Sequence, residues 1–515
     1  MKKINLNIEK ILSAMFLLVF FLYVFSTVVI NWCGLDIFYD TDMYADSLIA
    51  KYMWEAKSIF PDKWIFGNQY FVIQTPVVSA LIYGICGDIY LSMKIATTIM
   101  MVLIFVSFIW MMKPFSNRTS IICGLLLLIA SIIGCEIAKQ FEGQLFFVGV
   151  SYYASYLITL LIAIGCFVRE YNDIKYSKTI KVLSLLLTFA CGMQSLRQTV
   201  VMVAPLLLCS IVFYKKNSFI YALEILGANI LGILLIKIIN PPHISIYGSS
   251  SLVPPSEWIE RFVEGLKCFK KITGYRWIPK GNKVGYVGLL FICVVVSALL
   301  INLVRIKSYG KNILMMMFVL FFGMMAVIGA GTITYTNVRY IYIFPWFTLV
   351  AVCGASIINA LLENSHKLIA FVVCIILCYA SLYNLKISYL YEYQRALDEN
   401  DTYVEKEVGK YIVDNGYKYV YSEFEFLGKV IVNTNTNVIG GTWHIEPFLA
   451  EDHLTPTDIF AEEYNKDAVY LLLDSQVEDA IKYAEKVNAK FEKAAEFGDG
   501  EYQLFVSNKQ LMHTR

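Results

Sequence analysis

Charge is what this chain has least of. Only 16% of its 515 residues are charged, 58% are hydrophobic, and the mean hydropathy is +0.59. That excludes an ordinary soluble multidomain protein and assigns most of the chain to a bilayer. Nucleotide-binding loops are lacking as well: there is no GxxxxGK[ST], no GxGxxG between strand and helix, no HExxH and no GxSxG. A nucleotide-driven motor and a soluble hydrolase of the common kinds are thereby set aside. All twelve cysteines lie between Cys33 and Cys378, without a paired CxxC, which argues against a disulfide framework or structural zinc. The basic residues sit in short loops rather than along one polar face, so they read as topology signals and not as a nucleic-acid surface.

What is present divides in two. Residues 1–385 hold 30 Lys/Arg against 17 Asp/Glu, whereas residues 386–515 hold 13 against 24, and the formal net charge of +2 conceals both excesses. Hydropathy predicts eleven transmembrane helices, at about 11–30, 88–112, 119–135, 149–168, 180–194, 198–213, 218–239, 284–304, 313–330, 340–362 and 368–386. The first follows MKKINLNIEK but has no small-x-small cleavage site before Asn31, so it is read as a retained span. Under this assignment Lys2, Lys3 and Lys10, Lys113 and Arg118, Arg169, Lys175 and Lys178, Lys215 and Lys216, Arg305, Lys307 and Lys311, and Lys367 all fall on one side. Short cationic loops mark the cytoplasm, so the N-terminus is expected inside and the long loops 31–87 and 240–283, with the tail, outside. Phe71–Gly87 contains Pro76 and is expected as a juxtamembrane or re-entrant helix, since a full crossing would invert every later loop.

The expected organisation is therefore a mainly α, polytopic helical membrane domain over 1–386 and a small C-terminal α/β extracytoplasmic domain over 387–515. In the tail an amphipathic helix near 399–415, strands YKYVYS and DAVYLLLD, a helix over 475–490 and a GDG turn before EYQLFV are predicted.

Chemistry concentrates in the first loop. Asp36, Asp40, Asp42 and Asp46 gather where the first span emerges, and beyond Asp40 the apolar positions Met43, Tyr44, Leu48, Ile49, Tyr52, Met53, Ala56 and Phe60 recur at helical spacing. The helix is expected to lie along the interface, with its apolar face in lipid or protein. Asp40 at its mouth is placed to deprotonate an acceptor hydroxyl. It is equally suited, like Thr41, to be the N-cap, with Asp42 favouring the positive end of the helix dipole. The two carboxylates also suit a divalent cation.

The order of a first span, YDTDMYA, an interfacial helix, DKW and a Pro-containing apolar helix resembles the first loop of GT-C superfamily glycosyltransferases, which include lipid A aminoarabinose transferases and protein O-mannosyltransferases. The former carry their catalytic aspartate in a D-E-x-x-Y-A pattern. Aligning Tyr44-Ala45 with it implies that role for Asp40; Thr41 replaces the neighbouring acid, and Asp42 supplies a carboxylate one place later. GMQSLRQTVVMVAPL (192–206) and NVRYIYIFPW (337–346) are similar to the Arg-containing loop and late R-Y-x-x-x-x-P element of bacterial members. The tail, with DNGYKYVYSEFEFLGKV, GTWHIEPF and GEYQLFV, is similar to the outer domain of bacterial proteins in that superfamily.

The resemblance implies a GT-C-like fold and transfer of a sugar from a polyprenyl-phosphate carrier to an acceptor hydroxyl of an envelope glycan, lipid or protein. Asp40 would act as base and Asp42 would assist. Arg339 and Arg197, at the ends of spans, are candidates for the donor phosphate because an isolated cation near a bilayer needs an anionic partner; snorkelling or a structural pair is the competing role. Lys63 is a weaker candidate of the same kind, and Tyr44, Trp64 and Trp277 are the aromatic candidates for substrate binding. Trp277 belongs to a loop whose Trp258, Phe262, Leu266 and Phe269 share a helical face suited to interfacial anchoring. Glu136 and Glu142 offer a second carboxylate, and His444 and His453 flank Glu446, Glu451 and Asp452, without metal-ligand spacing. Two other readings stand beside this one: a flippase for a lipid-linked glycan, using Lys94, Glu224 and Lys237, and an inactive relative whose tail binds glycan.

Overall fold

The computed structural model describes residues 2–33, 39–67, 69–133, 136–137, 140–141, 146–241, 254–261, 263, 284–304, 309–332, 338–386, 401–443, 447–450 and 453–513. The chain is a helical membrane protein with a small strand-containing C-terminal region. Each predicted span coincides with helix: α1 Lys2–Cys33, α4 Ile89–Met112, α5 Arg118–Ile133, α6 Ala154–Tyr171, α7 Lys178–Gln194, α8 Ala204–Val212, α9 Lys216–Ile239, α10 Val284–Val304, α11 Tyr309–Thr332, α12 Val338–Glu363 and α13 Lys367–Leu385. The first loop holds α2 Thr41–Ala56 and α3 Thr75–Cys86. Among the described residues, six helical stretches are long and apolar enough to cross a membrane: Ile8–Cys33, Ile89–Met112, Ala154–Tyr171, Lys216–Ile239, Trp346–Glu363 and Lys367–Leu385.

The chain folds as two compact units. The first comprises Met1–Val28, Ile99–Ile239 and Ser249–Glu392. Small residues let its helices close up, as is usual where lipid removes the hydrophobic drive between helices. A Cβ on Gly232 would meet Phe189 O of α7 at 2.1 Å, and one on Gly192 would meet Asn229 O of α9 at 2.4 Å. Polar groups pair internally: Asn384 donates to Ala130 O at 2.8 Å and to the Tyr23 hydroxyl at 3.1 Å, and that hydroxyl donates to Ser381 O at 2.6 Å. Arg169, almost wholly buried, donates to Gly165 O at 2.8 Å and to Trp110 O, and stacks on the Trp110 ring. Between α7 and α8, Thr199–Val203 winds as a π-helix.

The second unit comprises Val29–Thr98, Asn240–Gly248 and Tyr393–Arg515, so the first loop is packed with the tail. Its sheet runs β5-β4-β7-β9-β8, formed by β4 Tyr419–Glu423, β5 Ile439–Trp443, β7 Ala468–Leu473, β8 Phe491–Phe497 and β9 Tyr502–Ser507. The β5, β4 and β7 strands are parallel, and β9 and β8 are antiparallel additions. The parallel strands β4 and β5 are joined through α15 Phe424–Ile431; α14 is Asp401–Asp414, and α16 Asp474–Lys486 sends Ala480 and Ala484 into the core. Tyr421, Trp443, Phe448, Tyr470 and Leu472 form the core. A two-residue strand of the first loop, β1 Trp64–Ile65, pairs antiparallel with β6 Thr455–Pro456 of the tail; in the first unit, β2 Glu136–Ile137 pairs antiparallel with β3 Gln140–Phe141.

Of the elements expected in the tail, both helices, both strands, the GDG turn and the final strand are present. The α15 helix and strands β5 and β8 are additions. The β5 sequence IGGTW lacks the bulky β-branched run that marks a strand, and β8 is an exposed edge strand, FEKAAEF, with no apolar alternation to announce it.

Candidate active site

The geometry begins at the cap of α2. Asp40 is its N-cap, in extended conformation, and its Oδ1 accepts the Met43 N–H at 2.8 Å. The carboxylate thereby satisfies one of the helix's orphan donors. Both roles expected of Asp40 depend on this position, since the cap fixes its carboxylate at the first turn. Of the two surroundings expected for its apolar face, protein is the one present: Thr41, Met43 through Ala50, Tyr52 and Met53 are all buried.

Asp42 follows in the first turn and Asp46 lies one turn on, the i, i+4 spacing that puts both on one face. Asp42 is partly buried; burial first, and the neighbouring Asp40 charge second, push its carboxyl up to about 7. Asp46 is 1% exposed, and its Oδ2 is buried without a hydrogen-bond partner. Burial, then repulsion from Asp42 and Asp40, raises its carboxyl well above the ordinary range. The cap, a carboxyl that titrates near neutrality and a buried acid thus follow one another along a single helical turn and a half. Paired carboxyls whose environments separate their proton affinities are the usual equipment of acid–base catalysis. Asp46 could have been singled out from sequence by its spacing from Asp42, but its burial could not.

Sharing one helix is not the same as converging on an ion. Among the described residues no group of three or more His, Cys, Asp or Glu side chains is arranged to hold a metal. Asp40 directs an oxygen to its cap donor instead.

The other expected site residues are placed as follows. Tyr44 is 2% exposed and its hydroxyl accepts the Gly440 N–H at 2.7 Å, so it ties α2 to β5. Trp64 is fully buried and packs against Tyr52; in this conformation it is a core residue and has no face open to substrate. Lys63 bonds Asp458 at 3.0 Å, and Tyr52 donates to the same carboxylate at 3.2 Å.

Arg197 belongs to the first unit. Its guanidinium lies 4.4 Å from the Tyr153 ring centre and 5.7 Å from that of Tyr156, a cation–π arrangement. It stands just before the π-helix, a form that recurs at functional sites, where Thr199 Oγ1 donates to buried Asn229 Oδ1 at 2.6 Å. Arg339 is the second residue of α12, and its side chain lies outside the described residues. Trp277, Glu142, His444, Glu446, Glu451 and Asp452 also lie outside them, as does the Glu136 side chain. His453 covers Gly67, where a Cβ would come within 2.6 Å of its ring.

No protein-family model matches the chain, and no curated protein matches it. The fold nevertheless has a solved counterpart. The chain superposes on the crystal structure of ArnT from Cupriavidus metallidurans bound to undecaprenyl phosphate, with a TM-score of 0.54 and 10% identity, over 96% of this chain and 99% of that one. At such identity the likeness is one of fold.

Proposed function

We propose that the chain is a GT-C-type glycosyltransferase that moves a sugar from a polyprenyl-phosphate carrier to an acceptor hydroxyl at the outer face of the membrane. The observation that carries this reading is the full-length fold likeness, combined with a carboxylate pair set by α2 in the loop after the first span. In the proposed reaction Asp40 or Asp42 takes the acceptor proton, the acceptor oxygen attacks the anomeric carbon, and the bond from that carbon to the phosphate oxygen breaks with inversion. Arg197 and Arg339 would meet the charge on the departing lipid phosphate. The N-terminus would be cytoplasmic and the tail extracytoplasmic.

The pairing of charges near the spans favours this reading over a flippase. Glu224 bonds Lys181 at 2.7 Å, and Lys94 donates to Trp32 O in the last turn of α1 at 3.1 Å. Two of the three residues that a transport pathway would have used are thus engaged in helix-to-helix contacts. The test is sugar transfer in proteoliposomes from polyprenyl-phosphate sugars to crude envelope acceptors, comparing wild type with Asp40→Asn and Asp42→Asn. Transfer lost in one variant supports the reading and names the base. Transfer intact in both removes the carboxylate assignment, and donor movement across the bilayer without product turns the reading to a flippase.

A further inference from the structure

The tail grips the first loop at the carboxylates themselves. Thr41, next to Asp40, donates through Oγ1 to Phe424 O at the start of α15 and accepts the Gly428 N–H at 3.0 Å. Gly428 has no room for a side chain: a Cβ there would meet Asp40 C at 2.2 Å, Thr41 N at 2.4 Å and Asp40 O at 2.5 Å, all backbone atoms that cannot swing aside. At its other end α15 is held by the first turn of α4, since the Tyr90 hydroxyl donates to Ile431 O at 3.1 Å. The Tyr90 ring packs edge-on against Tyr39, 5.7 Å between centres, and Tyr39 is the residue before Asp40. The contacts close a ring from Tyr39 through Asp40 and Thr41, along α15, and back through Tyr90.

That ring lies at the carboxyl end of β4, where α15 begins. In open α/β sheets, ligand crevices form outside the carboxyl ends of parallel strands, beside the strand at which the connections change direction. Here β4 is that strand, with β5 on one side and β7 on the other. The N-terminus of α2 occupies the position.

We infer that α15 is a positioning clamp, in which Thr41 and Gly428 hold the Asp40 cap in its reactive orientation, so that the tail is part of the catalytic apparatus. The inference rests on the glycosyltransferase reading for its kinetic consequence, although the clamp itself is a matter of structure. Neither residue touches substrate. Each acts through Asp40, and an aspartate displaced by an ångström loses most of its value as a base.

The test uses the full chain and three variants. Thr41→Val keeps the shape and removes both hydrogen bonds, Thr41→Ser restores the hydroxyl, and Gly428→Ala drives the Asp40 backbone away. Thr41→Val is expected to lower kcat by about tenfold or more with donor KM within about twofold, Thr41→Ser to return kcat to within about twofold of wild type, and Gly428→Ala to resemble Thr41→Val. Because the clash in Gly428→Ala puts folding itself at risk, amide exchange over 39–48 is measured alongside. Thr41→Val should speed exchange at the Met43 and Tyr44 amides, which bond Asp40, and Thr41→Ser should not.

Equal transfer by Thr41→Val and wild type overturns the inference, as does unchanged exchange at those amides. A fall in kcat that Thr41→Ser fails to rescue overturns it too, because loss of the hydroxyl would not be the cause. If the wild type transfers nothing, the glycosyltransferase reading is at fault, and the exchange data alone decide the clamp.

Discussion

The proton affinity of Asp42 decides which aspartate serves as base. An exposed aspartyl carboxyl loses its proton near pH 3.8, whereas burial beside Asp40 pushes Asp42 up to about 7. Asp42 therefore passes from mostly protonated at pH 6 to mostly ionised at pH 8. If Asp42 takes the acceptor proton, kcat/KM in proteoliposomes climbs roughly tenfold from pH 6 to 8 with an inflection near 7, and Asp42→Asn abolishes transfer at every pH. If Asp40 takes it, Asp42→Asn retains transfer, and the inflection vanishes because the group that titrates there is gone. The assay is initial-rate transfer of a labelled sugar at limiting donor over pH 5.5–8.5, with liposomes preincubated at each pH and returned to pH 7 to show that the protein survives. A wild-type profile with no inflection between pH 6 and 8 refutes the reasoning, since it would mean that burial beside Asp40 leaves Asp42 unperturbed.

Three further outcomes are expected. Asp46 holds its proton in the fold well above the ordinary carboxylate range, so its contribution to stability is complete below about pH 4 and drains away as pH rises toward that raised value. Asp46→Asn should therefore flatten the fall in melting temperature between pH 5 and 8 and gain about 1–3 kcal/mol at the upper end; an unchanged slope would count against a buried acid. Lys63→Met should leave donor KM within about twofold, because the Lys63 head is 66% exposed and engaged with Asp458, a pair worth under about 1 kcal/mol; a tenfold rise would restore Lys63 as a phosphate ligand. Arg197→Lys loses the planar stack over Tyr153 and the fork that grips phosphate, and should raise donor KM about tenfold, equal to about 1.4 kcal/mol; unchanged KM would reduce Arg197 to an anchor.

Local physics was legible in the residues alone. Every predicted span is helix, because hydropathy over some twenty residues is a property of the segment and a bilayer tolerates little else. The Asp40 cap was legible too, since it needs only a short carboxylate before a helical repeat, and the Asp42–Asp46 spacing shares one face by geometry. What depends on distant partners was not. Trp64 reads as an exposed aromatic beside a lysine, yet it is fully buried where β1 meets a strand nearly four hundred residues later. At eight residues, α15 (FEFLGKVI) is too short for a helical repeat to distinguish it from a strand, and the need for glycine at 428 exists only because the backbone of Asp40 lies 2.2 Å from where a Cβ would be. The helices, their apolar lengths and the carboxylates at the mouth of α2 follow from local sequence, each set by neighbours within a turn or two. The burial of Asp46, the pairing of Lys63 with Asp458 and the packing of the tail against the aspartates came from the three-dimensional fold. Those outcomes depend on desolvation and close approach between residues far apart in the chain, which no local pattern encodes.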